Sequence, residues 1–230
     1  MGIDIREETI ELFDGEESIT FLHISDIHLW FSTKVLKELR EIILIQKPEL
    51  IVLTGDYYDL PQGAESFRQF LIEISLTNRV LFIRGNHDGL FGKGVSNLLL
   101  NIPRVEYLES SVFHYITKKS NRLNITAWEN REQLSSKSRA KNILLIHNPE
   151  DLVEKELEEI DVVFAGHLHG CQFIFFKFKN GTYFPGNLYY KHCADRKMIG
   201  ETTLIVSRGL GDTLPLRWNC PKEVVLVKIV

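Results

Sequence analysis

The sequence contains no apolar run of the ~18–20 residues that a bilayer-spanning helix takes. Its opening stretch, Met1 to Ile10, is mixed and acidic, so no secretory signal is expected there. Gly2 is followed by Arg6 where a myristoylation signal takes Ser or Thr. Only three cysteines occur (Cys171, Cys193, Cys220), an odd number without a CxxC pair. A disulfide framework is therefore not expected, and a reducing, cytoplasmic compartment is. Dense Lys/Arg clusters are missing and the net charge is −4, which argues against a surface that holds long nucleic acid by charge. Neither an internal repeat at solenoid periods nor a low-complexity tract is present.

What remains is ordinary globular composition, 44% hydrophobic and 25% charged, in a length that one α/β domain over residues 1–230 accommodates. Apolar, β-branched segments alternate with helical patterns. Residues 18–25 read as a strand ending at Asp26, and residues 33–46 as a helix with Val35, Leu36, Leu39, Ile42 and Ile43 on one stripe. Pro48 stands just past that helix. Residues 50–54 read as a buried strand, 64–77 as a helix and 80–83 as a third strand. This β-α-β-α-β order predicts parallel strands joined by crossover helices. The later half is richer in strands, at residues 122–128, 142–146, 162–165, 171–178, 202–206 and 223–229, with helical pieces at 94–100 and 149–157. Residues 130–141 are polar and read as an exposed loop. Two packed sheets with helices outside are the expected result.

Metal-competent side chains recur where the predicted strands end. Asp26 and His28 follow the first strand, Asp56 and Asp59 the second, and Asn86, His87 and Asp88 the third. His147 closes the strand at 142–146, and His167 and His169 follow the strand at 162–165. Ligands of open α/β sheets gather at the carboxyl ends of strands, so five strands point these residues to one edge. Taken singly, Gly55-Asp56 is a common turn pair and His147 an ordinary core histidine. Five such motifs in order are another matter, and they hold five of the eight histidines. His23, His114 and His192 are assigned structural roles. The residue types suit two close cations: a carboxylate bridges them, and imidazoles and an amide complete each shell without accumulating negative charge.

The motifs Asp26-Ile27-His28, Gly55-Asp56-Tyr57-Tyr58-Asp59, Gly85-Asn86-His87-Asp88, His147 and Gly166-His167-Leu168-His169 resemble those of the calcineurin-like metallophosphoesterase family. The resemblance implies an α/β fold, a four-layer α/β/β/α sandwich, with two divalent metal ions (Mn, Fe or Zn) at one sheet edge. It implies that Asp26, His28 and His169 hold one metal, that Asn86, His147 and His167 hold the other, and that Asp56 bridges them. His87 would contact the phosphate and serve the leaving oxygen, with Asp88 orienting it, while Asp59 supports the loop. A metal-bridging hydroxide would be the nucleophile.

The later segments Gly166 to Gln172, Ser207 to Gly211 and Pro215-Leu216-Arg217 are similar to a branch that includes membrane-associated phosphodiesterases and a UDP-diacylglucosamine pyrophosphatase. The implied activity is a phosphodiesterase or pyrophosphatase on a small or lipid-linked substrate, with peripheral membrane contact as a further implication. A phosphomonoesterase or nuclease is the alternative enzyme, and a non-catalytic binding scaffold the alternative of another class. The Asp-Arg-Gly pattern of Ser/Thr protein phosphatases is missing after Asp59, where the chain reads Leu60-Pro61-Gln62. Cys171 stands where the branch has Gly and reads as a small packing residue, or else a thiol near the metals. Arg208 and Arg217 read as loop ties, with phosphate contact as the second reading. Trp30, Phe31, Tyr57 and Tyr58 are candidates either for a pocket lining or for core beneath the loops.

Overall fold

The computed structural model describes residues 2–13, 17–30, 32–89, 101–134, 140–212 and 216–230. The strands are β1 (Asp4–Ile10), β2 (Ile19–Ile24), β3 (Leu50–Leu53), β4 (Arg79–Phe82), β5 (Val105–Tyr107), β6 (Val112–Ile116) and β7 (Arg122–Ala127). They continue with β8 (Lys141–Ile146), β9 (Val162–Ala165), β10 (Ile174–Lys177), β11 (Tyr183–Pro185), β12 (Arg196–Ile199), β13 (Thr202–Val206) and β14 (Glu223–Ile229). The α-helices are α1 (Lys34–Gln46) and α2 (Pro61–Ser75). One six-stranded sheet has the order β1-β14-β2-β3-β4-β5 and a second the order β12-β13-β9-β8-β7-β6, while β10 and β11 form a separate hairpin. The centre of the first sheet, β2-β3-β4, is parallel, as is β7-β8-β9-β13 in the second.

Alternation along each strand divides the apolar side chains between layers. In β3, Leu50 and Val52 face the second sheet, while Ile51 and Leu53 face α1 and α2. In β8, Ile143 and Leu145 meet the first sheet, while Leu144 and Ile146 face outward. Central strands covered on both sides read as unbroken apolar runs, which is why Leu-Ile-Val-Leu is buried at every position. Helix α1 buries Leu36, Leu39 and Ile43 and ends where Lys47 turns left-handed ahead of Pro48. Helix α2 starts at Pro61, three residues before the predicted start, because proline suits the first helical turn, where its missing N–H has no helical partner. Among the described residues no helix is long and apolar enough to cross a membrane.

Several expectations are corrected. Residues 149–157 form two 3-10 turns, Pro149–Asp151 and Glu154–Glu156, not one helix. Asn148 caps the first turn by accepting from the Glu150 N–H, and the backbone is extended at Leu152, whose side chain joins the outer core of the second sheet. The start of the polar loop at 130–141 is a 3-10 helix, Trp128–Gln133. The strand expected at 171–178 begins only at Ile174, after a 3-10 turn at His169–Cys171. The helix expected at 94–100 lies outside the described residues. Strands β1, β5, β6, β11 and β12 were not anticipated. They lie at or near sheet edges or in the hairpin, are short or only partly buried, and so give a weak apolar signal.

His23, next to last in β2, lies between the sheets against the Phe164 ring at 5.2 Å, with Nε2 2.9 Å from Thr54 Oγ1. Burial, with Arg6 adding to it, pushes its pKa down to about 3. The folded chain thus keeps His23 neutral where the unfolded chain, near 6.5, takes up a proton. Its contribution to stability is whole above pH ~6.5 and is lost as pH falls toward 3, at no more than about 1.4 kcal/mol per pH unit. Urea unfolding of His23→Leu at pH 7, 5.5 and 4 is expected to give a flatter acid limb than the parent. Parallel limbs would rule the residue out as the source.

Candidate metal centre

The carboxyl ends of β2, β3, β4, β8 and β9 meet at one edge, and the loops leaving them carry all the predicted ligands. Asp26, His28 and His169 present ligand atoms within 4.8 Å of one another, and so do Asp56, His147 and His167. Asn86 Oδ1 lies 2.9 Å from His147 Nε2 and joins the second group. Asp56 stands between the groups, with Oδ2 3.7 Å from His28 Nε2 and 3.3 Å from His147 Nε2. All seven residues are therefore brought into one cluster.

The backbone is bent to achieve this. Asp26, His28, Asp56, His167 and His169 have φ between +47° and +68°, the left-handed region that β-carbons disfavour. Such conformations persist where their surroundings over-determine them, and they concentrate at functional sites. Here the clamps are visible. Asp88 is buried, and its carboxylate accepts from the backbone N–H groups of Gly85 (2.7 Å), Asp56 (2.8 Å) and Tyr57 (2.8 Å). Asp26 accepts from the His167 N–H, and Asp56 Oδ1 from the His87 N–H. Gly85 has no room for a side chain, because a β-carbon there would lie 2.5 Å from the Asp56 nitrogen.

The donor set suits metal ions. His147 Nδ1 donates to the Thr54 carbonyl (2.7 Å) and His169 Nδ1 to the Gly211 carbonyl (3.1 Å), so both rings turn an Nε2 lone pair into the cluster. His28 is held likewise by Asp59 at Nδ1 (3.0 Å), and its buried Nε2 makes no hydrogen bond among the described residues. Around His147 Nε2 stand Asn86 Oδ1, Asp56 Oδ2 and His167 Nδ1 at 3.1 Å. Lone pairs converging this closely repel unless a cation lies among them. Without a metal a proton serves: burial alone would lower His147, but the Asp56 carboxylate outweighs it and holds the pKa up to about 9. Burial would likewise raise Asp56, but His147 and the His87 N–H keep it down at about 2.

The expected role of Asp88 is corrected. The His87 ring is held by Asp59, with Nδ1 2.7 Å from Oδ1, whereas the Asp88 carboxylate is occupied by the three backbone N–H groups. Burial and the Asp56 charge push Asp88 up to about 6, against the pull of those donors. Asp59 thus does more than support its loop, since it accepts from His28, His87 and the indole N–H of Trp30. Trp30 is 59% exposed at the rim, whereas Tyr57 and Tyr58 are buried beneath the loops, and Phe31 lies outside the described residues.

Arg208 and Arg217 are loop ties. Arg208 grips Asp195 through Nε (2.8 Å) and Nη2 (2.7 Å), and Arg217 donates to the Arg208 carbonyl and to Asp212. His23, His114 and His192 lie apart from the cluster. The cysteine expectation is corrected: Cys171 and Cys193 form a disulfide, and Cys220 is free and buried. The two partners are 22 residues apart in sequence and 6.4 Å apart at Cα, brought together by the returning β10–β11 hairpin. Cysteine usage therefore no longer supports a reducing compartment.

A two-sheet sandwich carrying an Asp/His cluster at the strand ends is the architecture of a metal-dependent phosphoesterase. The chain belongs to the calcineurin-like phosphoesterase family, which it matches over residues 19–171. It is 24% identical to the Phosphodiesterase YaeI of Escherichia coli (strain K12), over 98% of this chain and 87% of that protein. It is 28% identical to the Uncharacterized metallophosphoesterase YkuE of Bacillus subtilis (strain 168), over 97% and 84% of the two chains. In fold it is similar to TT1561 of Thermus thermophilus, with a TM-score of 0.52, 11% identity and coverage of 84% of this chain and 91% of that one.

Proposed function

We propose that the chain is a dinuclear phosphodiesterase or pyrophosphatase acting on a small or lipid-linked phosphate ester. Asp26, His28 and His169 would hold one divalent ion, Asn86, His147 and His167 the other, and Asp56 both, with Mn, Fe or Zn each compatible with mixed O/N ligands. The observation that carries this reading is the convergence of lone pairs on both sides of Asp56, with the rings of His28, His147 and His169 each fixed from behind by a carbonyl or carboxylate. When bound, the ions would supply positive charge against the phosphoryl oxygens and a source of hydroxide near neutral pH.

The remaining work falls to the protein's own groups. Asp59 keeps the proton of His87 on Nδ1, which leaves Nε2 as the ring atom to meet a substrate. A second proton, at Nε2, is the one His87 would deliver to the leaving oxygen. Asp88 holds the loop that presents Asp56 and His87. Similarity to a protein named as a phosphodiesterase, over nearly the whole chain, supports diesters ahead of monoesters.

The test is Asp56→Asn. Metal-free protein is reloaded with Mn and assayed on paired chromogenic substrates, a diester and a monoester, with bound metal counted. The parent is expected to take up two ions per chain and cleave the diester. The variant should lose one ion and about 10²-fold or more in rate, as expected for misplacing reacting groups. A folded variant as fast as the parent would sink the reading. A parent that binds two ions and cleaves neither ester would point to the scaffold alternative.

A further inference from the structure

The outer half of the β10–β11 hairpin is unlike the rest of the surface. Residues 175–180 read Phe-Phe-Lys-Phe-Lys-Asn, and all six are exposed. Phe175 and Phe176 are 58% and 50% exposed. The rings are gathered together: Phe176 stacks on Phe184 at 4.8 Å and meets Phe178 edge-on at 5.0 Å, and Phe175 lies 6.3 Å from Phe184. At the foot of the hairpin the apolar surface continues. The Ile174 N–H donates to the Trp218 carbonyl, and Trp218 is itself 58% exposed. Leu188 and Tyr189, in the turn after β11, are exposed as well.

Charge sorts with this surface. Residues 172–200 hold five cations, Lys177, Lys179, Lys191, Arg196 and Lys197, against one carboxylate, in a chain of net −4. That carboxylate, Asp195, is gripped by Arg208 and lies 3.9 Å from the Lys177 ammonium. Lys191 pairs with Glu154, Arg196 with Glu8, and Lys197 donates to the Lys191 carbonyl, while Lys177 and Lys179 are the cations carried on the hairpin tip.

We propose that this hairpin, with Trp218 at its foot, docks the protein on an anionic lipid surface. Clustered Phe and Trp side chains partition into the headgroup–acyl boundary, and interleaved lysines extend their ammonium groups to lipid phosphates. Two other occupants fit less well. Single-stranded nucleic acid is held by ring faces offered to bases, but here Phe176 and Phe184 have turned a face to each other. A second copy meeting this patch across a two-fold axis would set the lysine-bearing tip against itself, and like charges so placed repel. Docking is a binding property measured without turnover, so it stands or falls apart from the proposed chemistry.

The experiment is vesicle flotation of the full chain with phosphatidylcholine alone and with phosphatidylcholine containing one third phosphatidylglycerol, at low and at physiological salt. The parent is expected to float with the anionic vesicles, with less recovered as salt rises. Phe175→Ser/Phe178→Ser and Lys177→Glu/Lys179→Glu should each lower the partition coefficient by about tenfold or more, on the scale of ~1 kcal/mol per lysine near such a surface. Leu44→Ser/Ile45→Ser alters equally exposed apolar residues on α1 and should leave the partition coefficient unchanged. Circular dichroism confirms that each variant is folded. The proposal is overturned if the parent stays in solution with anionic vesicles at both salt concentrations. It is equally overturned if the hairpin variants float like the parent, or if they abolish a dimer or oligonucleotide binding while the parent ignores vesicles.

Discussion

His87→Ala is expected to lower kcat for diester cleavage by about 10²–10⁴-fold, the ordinary range for losing a general acid or base. The loss should depend on the leaving group. A leaving oxygen of low basicity departs without help, so an activated nitrophenyl diester should show the small end of the range and an alkyl diester the large end. Metal content should stay at two ions per chain, because His87 belongs to neither proposed ligand set. Asp59→Ala is the companion variant. It leaves the imidazole in place but removes the acceptor that fixes its proton on Nδ1, and it also releases His28 and Trp30. A smaller rate loss, with a shifted alkaline limb in the pH–rate profile, is the signature of a positioning residue. Equal cleavage of both diesters by His87→Ala at the parent's rate would remove His87 from the mechanism.

Gly85→Ala should do comparable damage without touching any ligand. A methyl group at this position would press on the Asp56 nitrogen at 2.5 Å and on its carboxyl carbon at 2.8 Å, both held by short hydrogen bonds. Neither neighbour is a flexible chain end. The shift must therefore move Asp56, the one residue facing both halves of the cluster. A displacement on the order of 1 Å at a reacting centre costs about 10²-fold in rate. Metal content, by contrast with His87→Ala, should fall below two ions per chain. Measuring rate and metal content together separates the two variants. A Gly85→Ala protein with two ions and full activity would show that the loop relaxes at no cost.

What could be read in the sequence was whatever local pattern determines. The strands that carry the cluster are buried on both faces, so they appear as apolar runs ending in Asp, Asn or His. Every predicted ligand comes to the same edge. The unread parts depend on partners distant in sequence. Asp88 and Asp59 each follow a ligand motif, and nothing local tells which of them reaches the His87 ring. Only the fold shows that Asp88 is consumed by backbone donors. The Cys171–Cys193 pair needs the β10–β11 return, and β1, an edge strand, carries charge at Asp4, Arg6, Glu7 and Glu8 and so does not read as an apolar run. The left-handed backbone at five ligands has no signature beyond their being Asp and His, which tolerate it better than most residues.

The place of β14 in the first sheet has a consequence for the order in which the sheet can close. Residues 223–229 insert between β1 and β2, so β1 finds its parallel partner only in a strand far downstream of it in sequence. One flank of β2 therefore stays an open edge until β14 has been made. Closing the sheet also brings Glu223 against Arg6 and Arg208, joining β1, β14 and the loop after β13 in one ion cluster. The order of assembly is set by this long-range pairing rather than by the order of synthesis. The edge bearing Asp26 and His28 is made well before the strand that closes its sheet.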